Sequence, residues 1–178
     1  MIMRLGLLFI FVIQIFAFYS QKTLKAQRIE NKITIDGKFD EKIWQDAESA
    51  SDFIQVNPNP GSKASHESVF KVLFDDEAIY FGAIMFDSLN EISKVLSPRD
   101  EFNANTDNLQ IVLDTYNDDI NAFLFGVSSE GVQYDGKITG SRTDLSLNMV
   151  WTSHVQITDS SWNVEVKIPY SAFRFSKN

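Results

Sequence analysis

From Ser68 onward the chain runs in short alternations of apolar and polar residues, each closed by a cluster of turn-forming residues. Ser68–Phe74 and Ala78–Asp87 predict two strands joined as a hairpin through Asp75-Asp76-Glu77. The second is apolar on both faces, with Ile79, Phe81 and Met85 opposite Tyr80, Ile84 and Phe86. A strand of that kind lies in the middle of something thick. Further strands are predicted over 107–115, 122–128, 132–138, 151–158 and 162–169. Turn signals separate them at Tyr116–Asp119, Ser129–Gly131 and Asp159–Ser161. Helix is confined to 40–46 and a short piece over 91–94. Short strands at this spacing predict an all-β fold, an antiparallel β-sandwich of the immunoglobulin or jelly-roll kind with one short helix near its N-terminus.

Upstream of the strands, Ile33–Trp44 reads ITIDGKFDEKIW. Ile33 and Ile35 alternate with polar neighbours and predict a short strand. Asp36-Gly37 breaks it with a tight turn, because glycine tolerates positive φ and the aspartate bonds its own turn. Asp40 caps the following helical turn, whose apolar face is Ile43 and Trp44. The stretch 57–65, NPNPGSKAS, has the composition of a long loop within one domain.

Residues 1–26 have one early charge, Arg4, then an apolar run from Leu5 to Phe18 broken by Gln14. That run is short for a bilayer span, which needs about 20 apolar residues. It suits a signal peptide cleaved after Ala26, with an uncleaved anchor as the alternative. Export in turn predicts a periplasmic, outer-membrane or extracellular location. The chain has no cysteine, so neither a lipid-bearing cysteine nor a disulfide is available and packing alone holds the fold. About 150 residues follow, one domain's worth (27–178). They carry 13 basic and 24 acidic residues, a net charge of −11, which argues against nucleic acid and anionic lipid as partners.

The ITIDGKFDEKIW segment resembles the opening of a family 9 carbohydrate-binding module. The resemblance continues through VFKVLFDDEAIYFGAIMFD, Arg99-Asp100, DNLQIVLD from Asp107, FLFGVSSEGVQYDG and SWNVEVKIPYSAF, in the expected order. It is similar in particular to the N-terminal module-like domain of large exported bacterial proteins in which an outer-membrane-type β-barrel follows. What the resemblance implies is a non-catalytic domain that binds oligo- or polysaccharide in carbohydrate catabolism. Members that bind sugar clamp the ring between two tryptophans and hold its hydroxyls with charged and amide groups. One of those tryptophans is expected at 102–106, where this chain has Phe102-Asn103-Ala104-Asn105-Thr106. An arginine expected around Phe125–Val127 is replaced by Gly126. The second tryptophan and at least one more core strand belong to a C-terminal segment beyond Asn178. The chain is therefore expected to be a fragment of a longer protein, or to borrow a strand.

The residues themselves supply no catalytic set. Asp75, Asp76, Glu77, Asp114, Asp118, Asp119, Glu130 and Asp135 fall in or beside turns, where carboxylates mostly cap or face water. His66 and His154 have no second ligand at a zinc spacing. Hard oxygen donors at Asp75–Glu77 or Asp114–Asp119 leave a structural calcium open. No other cofactor is expected, and no phosphate loop, dinucleotide fingerprint or nucleophile elbow occurs. Trp44 and Trp162 read as core, whereas Trp151 is either core or an exposed platform. The candidate sugar site is Arg99, Gln133, Asp135 and Trp151, although an Arg99–Asp100 pair that pins a loop is a simpler account. Three readings stand: a carbohydrate-binding module, an interaction domain that has lost its sugar site and caps a larger outer-membrane protein, and an accessory part of a glycoside hydrolase.

Overall fold

The computed structural model describes residues 22–101 and 105–175, so the segment expected as the body of a signal peptide lies outside the described residues, as do Phe102, Asn103 and Ala104. Ten strands, β1 (Gln27–Arg28), β2 (Ser49–Ala50), β3 (Ser68–Phe74), β4 (Ala78–Phe86), β5 (Asn108–Leu113), β6 (Asn121–Ser128), β7 (Gln133–Thr139), β8 (Arg142–Asp144), β9 (Thr152–Ile157) and β10 (Ser161–Pro169), form two sheets. One has six strands in the order β1-β3-β4-β10-β9, with β2 also on β3; the other is β5-β6-β7-β8. Every pairing is antiparallel except β1 on β3. The expected sandwich is therefore what forms.

Between the sheets lies a core built on Phe81, Phe123, Phe125, Val127, Trp151, Trp162, Val164, Val166 and Ile168. Leu73 of β3 and Ala78 and Tyr80 of β4 point the other way, into a second core with Ile29, Trp44 and Ala47. The N-terminal segment lies over that outer face, which explains why β4 is apolar on both sides. Trp44 is 1 % exposed on α1 (Lys42–Asp46). Gly82 permits the close approach: a Cβ there would sit 2.4 Å from Phe39 Cε1 and 2.9 Å from Trp44 Cζ3.

The details of this cover differ from expectation. Ile33–Ile35 is not a strand, since no neighbour pairs with it; its isoleucines pack on the second core from extended chain. Asp40 does not cap the helix. Glu41 stands at the N-cap without a side-chain cap, its carboxylate instead accepting the Thr34 N–H at 3.0 Å. The Asp36-Gly37 turn is present, with Gly37 at φ 81°. What holds that turn is Glu165 of β10, a fully buried carboxylate that accepts the Asp36 and Gly37 N–H groups, each at 2.8 Å. Burial pushes the Glu165 carboxyl up to about 7, and the negative charge of Glu41 adds to it. The two amides and the Trp44 indole pull the other way without overcoming burial. The expected helix at 91–94 is only a turn, closed by Glu91 and Ile92 N–H groups on the Ser88 carbonyl. β8 was not expected, because its three residues are all exposed and carry no apolar alternation.

The two flanks of the sandwich are unlike. At one, β5 is the edge of its sheet, and an open apolar groove of about 410 Å³ runs between it and β3–β4 past Phe53, Phe70, Met85, Leu109 and Ile111. At the other, β7 and β9 are joined by a polar cluster. Among the described residues no helix is long and apolar enough to cross a membrane.

Two measurements check this packing. Gly82→Ala should cost about 1–3 kcal/mol in urea denaturation, as a methyl forced between Phe39 and Trp44 overpacks the second core. For Glu165 the folded carboxyl titrates higher than the unfolded one, so its contribution is complete below about pH 4.5 and is lost as pH rises through about 7. Stability should fall by up to about 3 kcal/mol over that window in the wild type. Glu165→Gln should flatten that slope.

Candidate functional site

The four residues singled out in the sequence meet at the β7–β9 flank. Arg99 donates from Nη1 to Gln133 Oε1 at 2.8 Å, and from Nη2 to Asp135 Oδ2 at 2.5 Å and to the Met149 carbonyl at 3.2 Å. Trp151 Nε1 donates to Asp135 Oδ2 at 3.1 Å, and the Met149 N–H to Asp135 Oδ1 at 2.8 Å. Gln133 Nε2 donates to Ser153 Oγ of β9 at 2.9 Å. Asp100, held at φ 67°, accepts the Asp135 N–H at 3.3 Å and lies 3.6 Å from Arg99 Nε. The loop carrying Arg99-Asp100 is thus pinned to β7.

Burial assigns the roles within this cluster. Asp135 is fully enclosed and Trp151 is 7 % exposed, its ring edge-on to Phe125 with centroids 5.6 Å apart. Trp151 is a core residue, and its face is not a platform for a ligand. Only the Arg99 side chain reaches water to a large extent, at 41 % exposure, and its donors are already engaged by Gln133, Asp135 and Met149. The network closes one flank of the sandwich and aligns Arg99; its inner members cannot touch a sugar.

On the outer face of the β5–β8 sheet Leu124, Gly126, Ser128, Tyr134 and Gly136 of β6 and β7 are buried, and the exposed part is the β5 edge. Asn108 and Gln110 of β5 are exposed there. Asn108 Oδ1 accepts the Tyr134 hydroxyl at 2.9 Å and the Gln110 amide at 3.2 Å. Tyr134 of β7 lies over Gly126 of β6 so closely that a Cβ at Gly126 would be 2.0 Å from Tyr134 Cζ. Burial raises the Tyr134 hydroxyl above its ordinary range. The glycine that replaces the expected arginine therefore has a local reason: the ring of Tyr134 fills the space above it. Sequence reasoning registered Gly126 as a loss and missed the tyrosine. Gly126 and Tyr134 are cross-strand partners, and only the hairpin register reveals it.

The two acidic turns weighed for calcium use their carboxylates on amides. Asp75 accepts the Glu77 and Ala78 N–H groups and the Tyr80 hydroxyl, while Asp114 accepts those of Tyr116, Asp118 and Asp119. Asp118 is held below the usual carboxylate range, chiefly by the Asn121 side chain.

The family model described as carbohydrate family 9 binding domain-like matches residues 35–178. The chain belongs to that family. The fold likeness agrees. A family 9 carbohydrate-binding module from Caldicellulosiruptor kristjanssonii, solved with glucose, is 19 % identical with a TM-score of 0.56, over 85 % of this chain and 72 % of that one. The same source's module with cellotriose is 17 % identical with a TM-score of 0.53, over 86 % and 69 %. A putative carbohydrate-binding protein from Bacteroides uniformis ATCC 8492 is 14 % identical with a TM-score of 0.60, over 83 % and 72 %. No curated protein matches the chain. In this family 9 domain, then, the sandwich is shared with solved modules.

Asp135→Ala should destabilise the domain by roughly 2–4 kcal/mol in urea denaturation, because it strands two buried donors, the Met149 N–H and the Trp151 indole N–H. A loss within about 0.5 kcal/mol would show that the network carries little.

Proposed function

We propose that this domain binds carbohydrate without transforming it, as the sugar-recognition part of an exported envelope or secreted protein that acts on polysaccharide. The observation that carries this reading is the family match over residues 35–178, supported by the shared fold of modules solved with glucose and cellotriose. The apolar run before Phe18 and the net charge of −11 after Ala26 support export and disfavour nucleic acid and anionic lipid. A membrane barrel following the domain in the full-length protein belongs to the same proposal.

Sugar recognition joins amide or charged groups for hydroxyls with an apolar surface for the ring faces. The exposed amides of Asn108 and Gln110, beside Tyr134, offer the first at the exposed β5 edge of the β5–β8 sheet. Each amide supplies both a donor and an acceptor, which suits a pair of neighbouring hydroxyls. Arg99 and Gln133 form a polar rim on the β7–β9 flank, and within it Asp135 and Trp151 act by holding Arg99. One observation favours the second reading, an interaction domain whose sugar site is lost: the ring of Tyr134 occupies the space over Gly126.

Calorimetric titration of the folded chain with glucose, cellotriose and a broader glycan panel separates the two. The proposal predicts weak binding, insensitive to salt, that Gln110→Ala reduces by about tenfold, the loss of one or two hydrogen bonds, with an unchanged melting temperature. A folded chain that binds nothing across the panel would overturn it in favour of the interaction domain.

A further inference from the structure

The chain's only mixed nitrogen and oxygen cluster of this kind among the described residues lies away from the sugar-facing sheet, at the end of the β3–β4 hairpin. His66 precedes β3, Asp87 follows β4 directly, and Glu91 sits in the next turn. One ligand atom from each, an imidazole nitrogen and two carboxylate oxygens, lies within 4.8 Å of the others. We propose that His66, Asp87 and Glu91 bind a first-row transition dication of the zinc type.

Three features support the site beyond the presence of the residues. The backbone beneath it is fixed: the Phe86 N–H donates to the Glu67 carbonyl, the Asp87 N–H to the Ser160 carbonyl and the Glu91 N–H to the Ser88 carbonyl. His66 Nδ1 and Asp87 Oδ1 are 3.5 Å apart. That is long for a charge-assisted hydrogen bond, which closes to about 2.7–2.9 Å. It is close to the edge of a tetrahedron drawn with metal–ligand bonds of about 2.1 Å, roughly 3.4 Å. The carboxylates are also oriented from outside, since the Ser88 N–H donates to Asp87 Oδ1 at 2.7 Å and Ser88 Oγ to Glu91 Oε2 at 2.8 Å. Such partners around the ligands set the aim of a metal's donors.

The donor set selects the ion class. Calcium and magnesium take all-oxygen shells of six or more, whereas one imidazole and two carboxylates suit zinc with a water in the fourth position. Two carboxylates also neutralise a dication, and the partial exposure of all three residues leaves a path for it to enter. A bound metal would tie the loop before His66, which carries the exposed Phe53, Ile54 and Val56, to the end of β4. Sequence spacing gave no hint of this, because the ligands are 21 and 25 positions from His66 and only the hairpin brings them together.

Titration of the metal-free full chain with Zn²⁺ by calorimetry, and with Co²⁺ by visible absorption, tests the proposal. The expected result is one micromolar site per chain, with cobalt bands that report nitrogen and oxygen ligation. Both His66→Ala and Glu91→Gln, exposed positions whose change leaves the melt cooperative, should weaken binding by about tenfold or more. No saturable binding of either ion, or binding that persists unchanged in His66→Ala, would overturn it.

Discussion

The carboxylate of Glu165 is the contact on which the arrangement of the domain depends. It sits on β10, opposite Gly82 of β4 on one side and His154 of β9 on the other, and reaches outward to two consecutive amides of the Asp36-Gly37 turn. A buried carboxylate costs several kcal/mol unless donors meet it, and here the donors are the chain's own backbone. The turn is thereby placed over the sheet, and the helix bearing Trp44 follows it down onto Gly82. Burial of the Glu165 carboxyl, with the negative charge of Glu41 beside it, raises it to about 7 against the pull of the two amides. Asp36, His154 and Lys38 also bear on this corner, through the Asp36 carboxylate that the Lys38 N–H and side chain hold low.

Covering one sheet has a consequence for the other. The N-terminal segment is laid over the outer face of β3 and β4, and on the other sheet the exposed polar surface is the β5 edge, the outward positions of β6 and β7 being buried. The inner faces are spent on the common core, and the β7–β9 flank is closed by Asp135 and Arg99. The exposed polar groups there are the amides of Asn108 and Gln110, and the aromatic ring beside them, Tyr134, is turned down onto Gly126. Relative to the aromatic clamp that the family resemblance implies, this domain offers hydrogen bonding with little stacking.

Much of the fold was legible because the strands of this chain carry their own signal. β4 announced a two-sided burial by being apolar throughout, and Asp36-Gly37 announced a left-handed turn. The errors have equally local causes. Ile33 and Ile35 alternate as a strand would, yet alternation reports a buried face and cannot show whether a pairing partner exists. β8 pairs with β7 through exposed polar residues that leave no pattern. The convergence of Arg99, Gln133, Asp135 and Trp151 was anticipated through family resemblance. Their burial was not, since the depth of Asp135 depends on how two sheets meet. Tyr134 over Gly126 and the His66–Asp87–Glu91 cluster were invisible for a related reason: each is a product of hairpin register rather than of spacing along the chain.

The central proposal is that the exposed β5 edge, with the amides of Asn108 and Gln110, is the ligand surface left open by the clasped N-terminal segment. Nuclear magnetic resonance of the ¹⁵N-labelled chain with added cellotriose tests it most directly. The account predicts that the side-chain amides of Asn108 and Gln110 and the backbone amides around Gly126 shift in a saturable way while the Asp36 and Gly37 amides stay still. Shifts confined to the N-terminal segment or the β3–β5 groove, or none at all in a folded sample, would contradict it.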